Sequence, residues 1–236
     1  LKEQGKLPAR YGIRLDSGDL AYLSKKAREM LDNAGLKDAS ICASSDLDEY
    51  LIDSLLSQGA CIDSWGVGTN LITSKTTPAF GGVYKLAALE EDGIMKPKIK
   101  LSENPVKITN PGDKTVYRIY DRNTGKVRAD YITLADESFD ENQDLVLFDP
   151  NATWKKTRLA GGSYTMKELL VPIFRNGQCV YETPSVMEIR TYCREQLDTL
   201  WEETRRLVNP QTVFVDLSDR LYRMKTDLLR SAAPVS

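Results

Sequence analysis

Between residues 11 and 66 three short apolar runs alternate with two helix-period segments, and every apolar run stops in a polar or glycine-rich turn. The first run (Tyr11, Ile13, Leu15) ends at Asp16-Ser17-Gly18-Asp19, and a helical pattern follows through Leu20, Leu23, Ala27, Met30 and Leu31. Asp19 has the chemistry of an N-cap and Gly35 that of a stop, which places a helix over 19–34. A second strand, SICAS at 40–44, is small and apolar enough for burial on both faces. Asp46-Leu47-Asp48 opens a second helix that Gly59 ends, and a third strand over 61–65 runs into Gly66-Val67-Gly68-Thr69. Strands joined by helices run parallel, so the expected fold class is α/β, as a parallel sheet or an α/β barrel.

Parallel strands bring their C-terminal ends to one edge, where α/β folds bind ligands. The three ends here read RLDSGD, SSDLD and GVGT. Arg14 and Asp16 lie two apart and share a face in a strand, which points a cation and a carboxylate at the same place. One such pair is equally well explained as an Arg–Asp pair capping a helix; three polar ends in succession are better explained by a shared site. In GVGT, small residues let backbone N–H groups approach a phosphate and Thr69 adds a hydroxyl. The motif is weak alone, lacking the spacing of a dinucleotide fingerprint and the lysine of a Walker loop, so a sugar phosphate fits better than a nucleotide. Asp46 and Asp48 read as ribose or hydrated-magnesium contacts, or as a helix cap with first-turn acidity; Asp48 fits the cap better.

Beyond Thr69 the alternation breaks. Gly81-Gly82 with Tyr84-Lys85 reads as a bulge entering a strand over 83–86, or as a second backbone-plus-cation patch. Further short strands are expected over 98–102 and 106–109, a turn at Asn110-Pro111-Gly112-Asp113, and a hairpin of 116–120 and 130–135 around Asn123-Thr124-Gly125-Lys126. Residues 136–144 form an acidic loop. Mixed structure is expected to return in the last third, running through 166–174 to a turn at Asn176-Gly177. Ser185 with Glu188 makes a capping box for a helix running to about Leu207, and Ser218 caps a last helix after a strand over 213–217. The domain division expected is 1–90 for the strand–helix units and 91–236 for a mixed, β-rich and helical region. Ser102, Glu103, Asn104 and Lys107 read as a solvated loop, and the arginines 205, 206, 220 and 223 as a solvated helix face.

Composition removes several mechanisms. The 236 residues contain no histidine, which excludes Ser-His and Cys-His nucleophiles from this chain and argues against zinc. The four cysteines show no CxxC spacing and read as reduced thiols. A net charge of −2 speaks against a general nucleic-acid or membrane-surface role. No apolar run reaches the roughly 18–20 residues that span a bilayer. Leu1 is not a start methionine, and the first strand follows closely, so the chain reads as part of a longer protein.

Taken together, GIRLDSGDLAYLSKKAR (12–28), SSDLDE (44–49), GVGTNLITS (66–74), PAFGGVYKL (78–86) and KLSENPVKIT (100–109), with ELLVPIF (168–174) and PSVMEIR (184–190), resemble the C-terminal half of the nicotinate phosphoribosyltransferase family. That resemblance implies part of an irregular phosphoribosyltransferase α/β barrel, followed by a mixed, β-rich C-terminal region. It implies formation of nicotinate mononucleotide and pyrophosphate from nicotinate and phosphoribosyl pyrophosphate, coupled to ATP hydrolysis through a phosphorylated histidine, with Mg²⁺ required. It also implies a cytoplasmic homodimer. Carried over by motif, Arg14 and Asp16 are the catalytic pair, with Asp16 on the ribose hydroxyls or Mg²⁺. Ser17, Gly18, Ser45 and Asp46 line the ribose, while Gly66, Gly68 and Thr69 hold the 5′-phosphate. This sequence departs from the family in lacking the phosphorylated histidine, and Gln211 stands where many relatives have a histidine. This chain alone is therefore expected to be inactive. A relative acting on nicotinamide or quinolinate, or a non-catalytic phosphate-binding or assembly module, are the competing readings.

Overall fold

A computed structural model describes residues 4–6, 8–79, 81–104 and 107–232. The chain divides into two compact units, Leu1–Gly82 and Val83–Ser236. The first holds β1 (Gly12–Leu15), α1 (Leu20–Asn33), β2 (Ser40–Ser44), α2 (Glu49–Ser57), β3 (Ser64–Gly66) and the one-turn helix α3 (Thr69–Ile72). Its strands form one parallel sheet in the order β1-β2-β3, with Arg14 opposite Cys42 and Cys42 opposite Ser64.

Both long helices of this unit begin where side-chain chemistry dictates. The Asp19 carboxylate accepts from the Tyr22 N–H at 2.9 Å, and Asp48 does the same for Leu51 at 2.7 Å, each satisfying an otherwise orphaned donor. Gly35 follows α1 in the left-handed region at φ 69°, where glycine carries no Cβ penalty. The apolar faces of both helices pack on the sheet through Leu20, Ala21, Ala43, Leu47 and Leu55. Leu47 is fully buried and by itself contributes about 1.5–3 kcal/mol of transfer free energy. β3 starts three residues later than the spacing suggests. The Asp63 carboxylate takes the Ile41 N–H at 2.8 Å and the Ser24 hydroxyl takes the Cys61 N–H at 3.1 Å. Side chains thus replace strand pairing over the segment before Ser64.

The second unit carries β4 (Ala88–Glu91), β5 (Ile94–Pro97), β6 (Lys114–Asp121), β7 (Val127–Leu134), β8 (Leu145–Asp149), β9 (Ala152–Leu159), β10 (Tyr164–Glu168), β11 (Phe174–Arg175), β12 (Gln178–Cys179), α4 (Val186–Thr199), α5 (Glu202–Arg205), β13 (Val215–Leu217) and α6 (Asp219–Ala232). Its main sheet runs β10-β6-β7-β13, antiparallel except for β13 beside β7. Ile119, Ala129, Tyr131 and Tyr164 from this sheet join Leu145, Leu147 and Leu159 from the β8–β9 hairpin in one core. Arg118 and Asp130, facing each other across β6 and β7, pair through two hydrogen bonds of 2.7 and 2.9 Å.

Several expectations are corrected here. Residues 83–86 and 98–102 are not strands; the hairpin lies between them, as β4 and β5 joined at Asp92-Gly93. Val106 lies outside the described residues, and 107–109 are not a strand. Within 166–174, β10 ends at Glu168 and β11 begins at Phe174, pairing with β12 across Asn176-Gly177. The capping box of α4 is present, yet the helix stops at Thr199 rather than near Leu207. Lys126 donates to the carbonyls of Asp198 and Leu200, and the Trp201 indole donates to the Val127 carbonyl at 2.8 Å, so tertiary contacts take over where a longer helix would have run. Ser218 caps the last helix as expected, accepting from the Leu221 N–H at 3.1 Å.

Candidate active site at three strand ends

The parallel register sets the C-terminal ends of β1, β2 and β3 along one edge of the first unit. Arg14, near the end of β1, donates from Nε to the Ser44 hydroxyl on β2 at 2.9 Å. Ser44 in turn lies opposite Gly66, the last residue of β3. Asp16 follows β1, 3.8 Å from the Arg14 guanidinium, and both side chains are about two-thirds exposed. A cation and a carboxylate with that much solvent access contribute little to stability as a pair and are open to a ligand. Ser17 and Gly18 form the turn into α1, and Gly18 has φ 78°, a conformation glycine adopts without strain.

The β2 end is held in an unusual conformation. Ser45 and Asp46 have φ of 117° and 42°, both in the region non-glycine residues avoid. The turn is pinned by Asn70, whose side-chain amide donates to the carbonyls of Asp46 and Leu47 at 2.9 and 3.0 Å. Asn70 belongs to α3, which follows β3, so the β2 and β3 ends are tied directly together. Asp48 acts as the cap of α2, matching its bland reading.

On β3, a Cβ added to Gly66 would press on Ser44 at 3.2 Å, so a larger residue would crowd the neighbouring strand end. Gly68 precedes α3, where a Cβ would meet open space, and Thr69 is exposed in the first turn. The Leu71 and Ile72 N–H groups donate to the Gly68 carbonyl at 3.1 and 3.0 Å, while N–H groups at the very start of a helix have no intrahelical acceptor. A separate cleft of about 380 Å³ beside α2 and α3 shares Val67 and Asn70 with this edge. Ser44 and Asn70 are the members that sequence reasoning passed over. Asn70 was readable as a polar residue in the motif GVGTN, while Ser44 looked like an ordinary small strand residue.

Other sequence candidates behave as structure. Tyr84 and its neighbours after Gly82 are exposed and lie outside any strand. Ser102 to Asn104 lie outside any helix or strand, with the Ser102 hydroxyl accepting from the Asn104 N–H at 3.2 Å. Arg220 pairs with Asp136 and Arg223 with Asp219, so these arginines are engaged in surface ion pairs. All four cysteines are free thiols. No helix among the described residues is long and apolar enough to cross a membrane.

A profile of the nicotinate phosphoribosyltransferase C-terminal domain matches residues 113–225. The chain is 49% identical over 214 residues to a nicotinate phosphoribosyltransferase of Bacillus subtilis, covering 91% of this chain and 43% of that protein. The chain belongs to the nicotinate phosphoribosyltransferase family. It is also 36% identical over 233 residues to the Caenorhabditis elegans nicotinate phosphoribosyltransferase, with 95% of this chain and 40% of that protein covered. The fold is similar to a crystal structure of human nicotinic acid phosphoribosyltransferase, with a TM-score of 0.68 at 24% identity over 93% of this chain and 40% of that one. The chain thus spans less than half the length of the nicotinate phosphoribosyltransferases it matches.

Proposed function

We propose that the full-length protein is a nicotinate phosphoribosyltransferase that joins nicotinate to phosphoribosyl pyrophosphate and serves salvage of the pyridine nucleotide NAD. The observation that carries this reading is the 49% identity over nine-tenths of the chain to a protein of that name. The strand-end group supports it chemically. In the transfer, the bond from the ribosyl anomeric carbon to pyrophosphate breaks as the nicotinate ring nitrogen bonds to that carbon. Positive charge builds on the ribosyl ring and negative charge on the departing diphosphate. Such a reaction needs fixed charges and positioning more than a nucleophile. In this reading Arg14 faces the phosphoribosyl group and nicotinate, and Asp16 holds the ribose hydroxyls or the metal. Ser17 and Gly18 shape that turn; Ser45 and Asp46 line the ribose; Gly66, Gly68 and Thr69 receive the 5′-phosphate.

Among the described residues no three His, Cys, Asp or Glu side chains gather as a metal cage. In this reading Asp16 would be the protein oxygen ligand to Mg²⁺, a hard cation that would offset the negative charge of the departing diphosphate. With no histidine, these 236 residues do not provide the phosphorylated group of an ATP-coupled reaction, and no ATP step is assigned to them. In the same reading the three parallel strands are part of a barrel completed by the rest of the protein, which works as a cytoplasmic homodimer. Assaying the full-length protein with nicotinate, nicotinamide and quinolinate tests the substrate: nicotinate is expected to be preferred, and a clear preference for nicotinamide overturns that choice.

A further inference from the structure

The second unit contains a cleft of about 450 Å³ bounded by β7, β13, the β8–β9 hairpin and the segment around Trp201. Its floor is apolar, made by the buried Val127, Ala129, Leu147 and Leu159, and its sides carry the aromatic rings of Phe148, Trp201 and Phe214. One residue does not belong in such a floor. Asp216, on β13, is only 6% exposed, yet no hydrogen bond or ion pair reaches its carboxylate among the described residues. None of its side-chain oxygens is sealed away from space, so the carboxylate opens on the cleft it lines. A second carboxylate, Asp149, lines the same cleft, and Arg128, Lys155 and Lys156 stand exposed at its rim.

A shielded carboxylate without a partner is costly, and native structures leave few of them without a purpose. Burial and the neighbouring Asp149 push the Asp216 carboxyl up to about 6, as befits a charge with no compensation. The rim cations stand exposed to water and do not quench it. The missing element is a positive hydrogen-bond donor, entering with an apolar body that fills the aromatic-walled space.

We propose that this cleft is a binding site for a small organic amine whose protonated nitrogen pairs with Asp216, assisted by Asp149, while an aromatic body packs among Phe148, Trp201 and Phe214. The site lies within the second unit and uses none of the strand-end residues. The basic rim also suits an acidic group on the ligand, provided it lies at the end remote from the amine.

Calorimetric titration of the full-length protein at pH 7.5 with 2-phenylethylamine, and with its neutral counterpart 2-phenylethanol, tests this. The amine is expected to bind saturably and more tightly than the alcohol. Asp216→Asn keeps the shape of the side chain and is expected to weaken the amine by about tenfold or more, leaving the alcohol unchanged. Asp149→Asn, at a half-buried position, is expected to weaken the amine a few-fold and gives a second reading should Asp216→Asn fold poorly. Absence of saturable amine binding overturns the proposal, as does equal amine binding by wild type and both variants. A crystal structure of the full-length protein with another part of the chain seated in the cleft overturns it too.

Discussion

Arg14 and Ser44 stand near the ends of adjacent parallel strands, joined by the 2.9 Å hydrogen bond from Nε to the serine hydroxyl. That bond fixes the plane of the guanidinium at the sheet edge while its terminal nitrogens stay available, with Asp16 3.8 Å away. Lysine keeps the charge but cannot donate from Nε while also presenting a planar fork. Arg14→Lys is therefore expected to lower kcat/KM for phosphoribosyl transfer by about tenfold or more. Its melting temperature should hold, since exposed ion pairs are worth about 1 kcal/mol or less. A variant with unchanged kinetics would show that the guanidinium is only a cap.

Thr69 gives a complementary case. Its side chain is exposed at the start of α3, and its proposed task is to donate to the 5′-phosphate. Thr69→Val removes the hydroxyl at nearly constant shape, at a position where surface changes usually stay within about 0.5 kcal/mol. The expected result is a KM for phosphoribosyl pyrophosphate raised about tenfold at unchanged thermal stability, read by steady-state kinetics alongside a melting curve.

Gly12 makes the opposite prediction. A Cβ there would overlap the Ser40 carbonyl and hydroxyl on the paired strand, and the carbonyl is backbone that has no room to yield. Gly12→Ala is expected to push β1 away from β2 and to cost about 2 kcal/mol or more, with activity lost alongside stability. Thermal unfolding of the full-length protein checks it. A variant as stable as wild type would mean that the strands relax freely.

Asp216 predicts a pH dependence of stability with an unusual sign. Its folded-state carboxyl is raised to about 6, whereas unfolded aspartate titrates near its ordinary value of 3.8. Between those values the folded state binds more protons than the unfolded one, so this group stabilises the fold as pH falls from about 7 to 4. At pH 7.5 the charged form costs up to about 3 kcal/mol. Asp216→Asn is accordingly expected to be more stable than wild type at pH 7.5, with the difference closing toward pH 4. Denaturation at both pH values measures it. A variant destabilised at pH 7.5 would show that the carboxylate has a structural partner.

The parts of the fold that sequence reveals are those controlled by local chemistry. Asp19, Asp48, Ser185 and Ser218 each cap the helix they appeared to cap, because a short polar side chain competes for first-turn N–H groups within three residues. The β2 boundaries match for a similar reason: the run is short, apolar and bracketed by turns. What escaped depended on distant partners. The start of β3 is set by Asp63 and Ser24 reaching to other backbone segments, and the end of α4 by Lys126 and Trp201. The β4–β5 hairpin is a different matter. Its strands, ALEE and IMKP, have poor β propensity, yet Asp92 and Gly93 at φ 55° and 75° form the turn that an Asp-Gly pair favours. That signal was readable.

The candidate site divides along the same line. Its motif residues stand at strand ends, because strand–helix alternation with polar termini is a local pattern. Ser44 and Asn70 became visible only once the strands were placed side by side, and the Asp216 cleft only once β13 was seen beside β7.

The most direct test of the account is formation of nicotinate mononucleotide from nicotinate and phosphoribosyl pyrophosphate by the full-length protein, wild type beside Asp16→Asn. The account predicts product from wild type and a rate about 10²–10³-fold lower for the variant at an unchanged melting temperature, the scale on which a fixed charge stabilises a transition state. No product from wild type, or equal rates for the two proteins, would contradict it.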